Sequence, residues 1–155
     1  FQPGLQSISA HALFVGSLGA PPDGRTKQML VSDGGVSPAQ GRDICGPTAA
    51  MLSVAKLNHL EATNGALLNV KFHPSAIKGE RGLENLCALT DAFFGLGAQH
   101  VQYNVVDSEV LRDAQKHPEK YGDLVVRVAG FSVLFTTLDT VLQNDIIERT
   151  QHNCC

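Results

Sequence analysis

Gly130 stands inside the most apolar run of the chain, Leu124-Val125-Val126-Arg127-Val128-Ala129-Gly130-Phe131-Ser132-Val133-Leu134-Phe135. The valines favour strand, and so continuous an apolar run predicts burial on both faces. A glycine within such a strand weakens it. Either Gly130 is a turn or bulge residue that needs a positive φ, or its missing side chain is itself the chemistry. Removal of a glycine Cα hydrogen leaves a planar radical. The amide nitrogen donates electron density to that radical, the carbonyl withdraws it, and no Cβ obstructs planarity or approach.

The other reactive side chains are scattered. Cys45, Cys87, Cys154 and Cys155 form neither a C-x-x-C pair nor a zinc spacing, so no metal site is expected. Cys45 and Cys87 read as small, partly buried residues of a reducing compartment, and Cys154-Cys155 as an exposed tail after the last helix. His11, His59, His73, His100, His117 and His152 are expected in structural or surface positions. His11 falls in the first predicted strand and could face the interior. Ser7 and Ser9 share one face of that strand and could line a pocket or simply bond the backbone. Arg127 could position the glycine segment or close a strand-end salt bridge.

These groups must be placed by alternating elements. Ser7 to Phe14 alternates weakly and reads as a strand. The stretch from Gly16 to Gly24 is rich in glycine and proline and reads as a loop, with Asp23-Gly24-Arg25 a turn. Gly46-Pro47-Thr48 opens a helix, since proline suits the first helical position; Met51, Leu52, Val54 and Ala55 point it toward a core. Leu67 to Phe72 is a short strand stopped by Pro74. Gly82 to Gly95 carries Leu83, Leu86, Leu89, Ala92, Phe93 and Leu96 at helical spacing. His100 to Val106 alternates as a strand. Asp107 or Ser108 caps the next helix, which Pro118 stops, and Asp139 caps the last. Strands alternating with helices imply an α/β architecture.

A chain of 155 residues is enough for one domain. It is 43% hydrophobic and 17% charged, with a net charge of −3, so nothing electrostatic points to nucleic acid or an anionic membrane. No segment approaches the ~20 apolar residues of a membrane span. The chain opens at Phe1 without an initiator methionine or signal peptide, which reads as a processed or truncated piece.

Several phrases resemble, in order and spacing, the glycyl radical enzymes of the pyruvate formate-lyase superfamily. Arg127-Val128-Ala129-Gly130-Phe131-Ser132 resembles their RVxGY signature, with Phe131 in place of the usual tyrosine. Leu138 to Thr150 resembles their closing L…LQ.DII.RT helix. Gly19-Ala20-Pro21-Pro22-Asp23-Gly24-Arg25 resembles TGATPDGR, Ser32 to Gly41 resembles LSDGxSPxQG, Leu67 to Pro74 resembles LLNxKFxP, and His100 to Val106 resembles HVQFNVV. The resemblance runs from about Ser7 to Thr150. It implies the C-terminal portion of a ten-stranded α/β barrel made of two half-barrels: residues 1–30 ending the barrel domain, 31–150 forming the glycine-radical domain and 151–155 a tail.

By the same resemblance, Gly130 stores a backbone radical, with Arg127, Val128, Ala129, Phe131 and Ser132 supporting the loop and Ser7, Ser9 and His11 lining a pocket. The radical acts as the built-in cofactor, installed by a separate activating enzyme that uses S-adenosylmethionine and an iron–sulfur cluster; Arg127 could meet that enzyme. The family's thiyl-forming cysteine has no counterpart here, so it belongs to an N-terminal remainder or a companion subunit. The full enzyme is expected to be a homo-oligomer of an anaerobic cytoplasm. The run around Ala129 and Ser132 to Leu138 looks nearer the dehydratase, lyase and decarboxylase branches, which cleave C–O, C–N or C–C bonds, than pyruvate formate-lyase. The alternatives are an autonomous glycyl radical cofactor that repairs an oxygen-cleaved partner, and a pyruvate formate-lyase (formate acetyltransferase) fragment.

Overall fold

The computed structural model describes residues 2–17, 19, 22 and 24–153. Ala20, Pro21 and Asp23 of the glycine- and proline-rich loop, and the Cys154-Cys155 pair, lie outside the described residues. In chain order the elements are α1 (Ala10–Leu13), α2 (Pro47–Ala55), β1 (Leu68–Phe72), α3 (Gly79–Gly95), β2 (Val101–Val105), α4 (Ser108–Lys116), β3 (Val125–Arg127), β4 (Ser132–Leu134), α5 (Thr140–Glu148) and β5 (Gln151–His152).

The helix ends follow their local chemistry. Pro47 occupies the first turn of α2. The Asp107 carboxylate accepts the Glu109 N–H at 2.9 Å and starts α4. Asp139 accepts from Val141 and Leu142 at 2.9 and 3.0 Å and starts α5. Such caps are each worth about 1 kcal/mol.

A parallel sheet runs β2–β1–β5. Leu68 pairs with Val101 and Phe72 with Val105, while Lys71 and Phe72 pair with Gln151 and His152. Gln151 and His152, expected in the tail, are thus part of the sheet. All five residues of the central strand β1 are buried. Its two faces differ. Leu68, Val70 and Phe72 pack with Met51, Val54 and Phe93 of α2 and α3; burying each large apolar side chain contributes roughly 1.5–3 kcal/mol. The opposite face carries Asn69 beside Gln102 and Lys71 beside Asn104. A second core joins α4, α5 and the hairpin β3–β4 through Leu111, Ala114, Val126, Val128, Phe135 and Ile146.

Three expectations need correction. Ser7 to Phe14 is not a strand: Ile8 makes one antiparallel bridge to Gly34, and Ala10–Leu13 is a helical turn. Among the described residues no strand pairs with these four, and a helical turn satisfies backbone groups locally. Ser7 and Ser9 therefore share no strand face. The apolar run around Gly130 is not buried on both faces. It folds back as the antiparallel pair β3–β4, with Val125 opposite Leu134 and Arg127 opposite Ser132. Val126, Val128 and Phe135 go under, whereas Val125, Phe131 and Leu134 stay outside.

The third correction is the apolar face of α2 and α3. Phe93, Met51 and Val54 are buried, but Leu52, Leu83 and Leu96 are exposed, as is Phe94. Cys45 and Cys87, expected to be partly buried, are exposed as well. Leu83, Cys87 and Phe94 follow helical spacing along the side of α3 turned away from the sheet. No described helix is long and apolar enough to cross a membrane.

Candidate functional site

Gly130 lies at the turn between β3 and β4 with φ +80°. The left-handed conformation is one that glycine adopts without a Cβ penalty. The turn is closed by the Val128 N–H donating to the Phe131 carbonyl at 3.0 Å. Gly130 is exposed and Phe131 is 41% exposed, whereas Val128 and Ala129 are buried. A Cβ built on Gly130 would meet only the Leu67 Cδ1 atom, at an ordinary 3.7 Å. The glycine thus has open space around its α-carbon and neighbours that are fixed.

Side chains from the polar face of the sheet hold the turn. The Gln102 Oε1 atom accepts the Gly130 N–H at 3.0 Å and the Arg127 Nε–H at 2.9 Å. Asn104 brackets the Arg127 backbone, accepting its N–H at 2.8 Å and donating to its carbonyl at 2.6 Å. The Arg127 Nη1 atom donates to the Ser132 hydroxyl at 3.2 Å across the hairpin. The Val128 carbonyl accepts from Asn69 Nδ2 at 3.3 Å and from Arg149 Nη1 at 3.0 Å.

Behind these lies a buried charge cluster. Gln102 Nε2 donates to Asn69 Oδ1, and Asn69 Nδ2 donates to Asp33 Oδ2 at 2.5 Å. The Arg149 Nε atom is 3.3 Å from Asp33 Oδ2, and Arg149 Nη2 donates to Asp145 Oδ2 at 2.7 Å. Asp145 also faces His11 Nε2 at 3.1 Å and accepts from Gln40 at 2.9 Å. Burial pushes the Asp33 carboxyl above its ordinary pKa, against the opposing charge of Arg149. Burial also disfavours the Asp145 carboxylate, but hydrogen bonding from His11 and the charge of Arg149 outweigh it, and its pKa is lowered.

Glycine is required where the Asp33 loop meets the sheet. Gly34 has φ +69°, and a Cβ there would lie 2.5 Å from Leu67 Cδ2 and 2.7 Å from the Leu67 carbonyl oxygen. That close approach brings the Asp33 carboxylate to Asn69 and Arg149.

Of the sequence-derived candidates, Arg127, Val128, Ala129, Phe131 and Ser132 surround Gly130. Ser7, Ser9 and His11 do not join them. Ser7 lines an open hollow of about 330 Å³ with Leu5, Arg25, Val31, Ser32 and Gly35. Ser9 precedes α1 and makes no capping bond through its side chain. His11 is fully buried, and its ring faces the Ile8 carbonyl and Asp145. Among the described residues, no group of three or more His, Cys, Asp or Glu side chains could hold a metal ion.

Gln102, Asn69, Asp33, Arg149 and Asp145 were not singled out from the sequence. A signal existed in the alternation of β2, which puts Gln102 and Asn104 on one face. The usual expectation that the polar face meets solvent hid it.

A family model described as "Glycine radical" matches residues 32–136. The trans-4-hydroxy-L-proline dehydratase of Clostridioides difficile is 46% identical over 143 residues, covering 92% of this chain and 18% of that protein. The indoleacetate decarboxylase of Tractidigestivibacter scatoligenes is 44% identical over 147 residues, covering 95% of this chain and 17% of that protein. Among solved structures, the glycerol-bound B12-independent glycerol dehydratase from Clostridium butyricum superposes with a TM-score of 0.93 at 53% identity, over 99% of this chain and 19% of that one. The chain therefore spans under a fifth of the length of these relatives.

Proposed function

The chain belongs to the glycine radical family, and on that premise we propose that it is the radical-bearing part of a glycyl radical dehydratase, lyase or decarboxylase, with Gly130 as the storage residue. The observation that carries this reading is the setting of Gly130. Its α-carbon is open, its positive φ is one that glycine tolerates, and bonds to its own N–H, to the Val128 carbonyl and to the Phe131 carbonyl fix its peptide neighbours. Residues 31–150 would form the glycine-radical domain and residues 1–30 the end of the barrel domain.

In this reading Gly130 gives up its Cα hydrogen atom, proton and electron together, to a radical made by a separate activating enzyme using S-adenosylmethionine and an iron–sulfur cluster. The unpaired electron left on Gly130 is passed on when its α-carbon takes a hydrogen atom from a cysteine thiol outside this chain, and the resulting thiyl radical acts on substrate. Gly130 and Phe131 are exposed here, and a stored radical needs cover from water and oxygen. The remainder of the polypeptide, or a companion subunit carrying the cysteine, would supply it. The uncovered Leu52, Leu83, Phe94 and Leu96 side chains support the same partner. An anaerobic cytoplasm and a homo-oligomeric full enzyme suit this chemistry.

The match over 92–95% of the chain to much longer enzymes favours this reading over a repair module, which would resemble chiefly the last segment. The test is anaerobic activation of the full enzyme followed by electron paramagnetic resonance. A doublet is expected in the parent and none in Gly130→Ala. Because a Cβ at Gly130 meets only ordinary contacts, the substitution should cost only about 1–2 kcal/mol of backbone strain, and the variant should remain folded. An undiminished signal in Gly130→Ala, or none in the parent, overturns the assignment.

A further inference from the structure

We propose that Gln102 is a positioning residue that sets the orientation of the Gly130 peptide and thereby the shape of the radical it holds; this rests on the reading of Gly130 as the storage residue. A glycine has no side chain by which to be held, so its N–H and carbonyl are its only handles. The N–H is taken by Gln102 Oε1 at 3.0 Å.

The Gln102 amide cannot be turned over without loss. Its oxygen sits between two donors, Gly130 N–H and Arg127 Nε–H, and its nitrogen faces Asn69 Oδ1. Flipping it would set nitrogen against two donors and oxygen against an acceptor. Asn69 is fixed in the same sense, because its nitrogen donates to Asp33 Oδ2 at 2.5 Å and to the Val128 carbonyl at 3.3 Å. A carboxylate only accepts. Donation therefore runs one way, from the Gly130 N–H through Gln102 and Asn69 to the Asp33 carboxylate, which fixes the sense of every amide between them. All three side chains are buried, where a misdirected amide is costly.

An unpaired electron on the α-carbon spreads into the flanking amides best when the two peptide planes are coplanar. At φ +80° they are not, so the glycine must rotate toward planarity as the hydrogen leaves. A plane tied through its N–H to a fixed amide has a defined course for that rotation. An untied plane samples many.

The test is electron paramagnetic resonance of the full enzyme after anaerobic activation, comparing the parent with Gln102→Leu and Gln102→Glu. Leucine removes both halves of the relay. Glutamate keeps an acceptor for Gly130 and Arg127 but turns an oxygen toward Asn69 Oδ1. Gln102→Leu is expected to broaden or shift the doublet splitting and to shorten the anaerobic lifetime of the radical about tenfold, the scale of one lost hydrogen bond. Gln102→Glu should keep the parent splitting. In the parent exchanged into D2O, electron–nuclear double resonance should find the Gly130 amide deuteron in a single orientation. Parent-like splitting and lifetime in Gln102→Leu overturn the proposal, as does equal damage from glutamate. If neither variant folds, a spread of deuteron orientations in the parent overturns it by itself. Absence of any doublet in the parent would instead refute the radical assignment to Gly130.

Discussion

Arg149, one residue beyond α5, donates through Nη1 to the Val128 carbonyl at 3.0 Å, two residues before Gly130. Its other nitrogens reach Asp145 and Asp33, so one guanidinium ties the closing helix, the Asp33 loop and the glycine turn. Arg149→Met leaves two buried carboxylates without their cation. The expected loss is about 3–5 kcal/mol, read as a lower denaturant midpoint at neutral pH. The deficit should shrink as the pH falls, because Asp33, already raised by burial, can then be neutralised by a proton. A deficit that is independent of pH would sink this account.

Lys71 supplies a test at alkaline pH. Its ammonium is buried on β1 and donates to Ser108 Oγ and to the Ile146 and Ile147 carbonyls at 2.8–3.1 Å. Burial, aided by the positive charges of Arg149 and Arg112, lowers its pKa to about 8 from 10.5. Between those values the unfolded chain binds more protons than the folded one, so stability should rise with pH through this window. The gain is of order 1–3 kcal/mol. Unfolding midpoints measured across the window should climb in the parent and stay flat by comparison in Lys71→Met.

Phe131 and Phe135 should behave oppositely. Phe135 is 0% exposed and packs in the core of α4 and α5, whereas Phe131 is largely outside. Of these two rings, the apolar burial beside the glycine segment within this chain therefore lies at Phe135. Phe135→Ala should cost about 3–5 kcal/mol. Phe131→Tyr, which restores the hydroxyl usual in the family, should change stability by less than about 0.5 kcal/mol. Equal losses on chemical denaturation would contradict the observed burial.

Air should cut the activated chain at Gly130, yet the piece beyond it should stay bound. α5 is held by Arg149 and Lys71, and β5 pairs with β1. Denaturing mass spectrometry is expected to show a break near Ala129, while native mass spectrometry shows the two pieces together, at the parent mass plus the oxygen taken up in the cut. Release of the C-terminal piece under native conditions would contradict this.

The sequence by itself determined the local features: the starts of α2, α4 and α5 at Pro47, Asp107 and Asp139, and the strands β1 and β2. Each depends on chemistry within a few residues, such as a cap, a fixed φ or an alternation. Only the tertiary structure decided which face of an alternating strand is buried. Asn69, Lys71, Gln102 and Asn104 look like a solvent face in sequence, but all four are buried; Asn69, Gln102 and Asn104 form the seat of the glycine turn and Lys71 holds the end of α5. Their partners, Asp33, Ser108, Arg127 and Gly130, come from distant parts of the chain. The same limit explains Ser7 to Phe14, where weak alternation suggests a strand but, among the described residues, the fold supplies only one bridge, from Ile8 to Gly34. It also explains the apolar run itself, whose valines specify strand without specifying that Gly130 turns it back. Long-range pairing of buried polar groups is a property of three-dimensional juxtaposition, and no local period in the sequence encodes it.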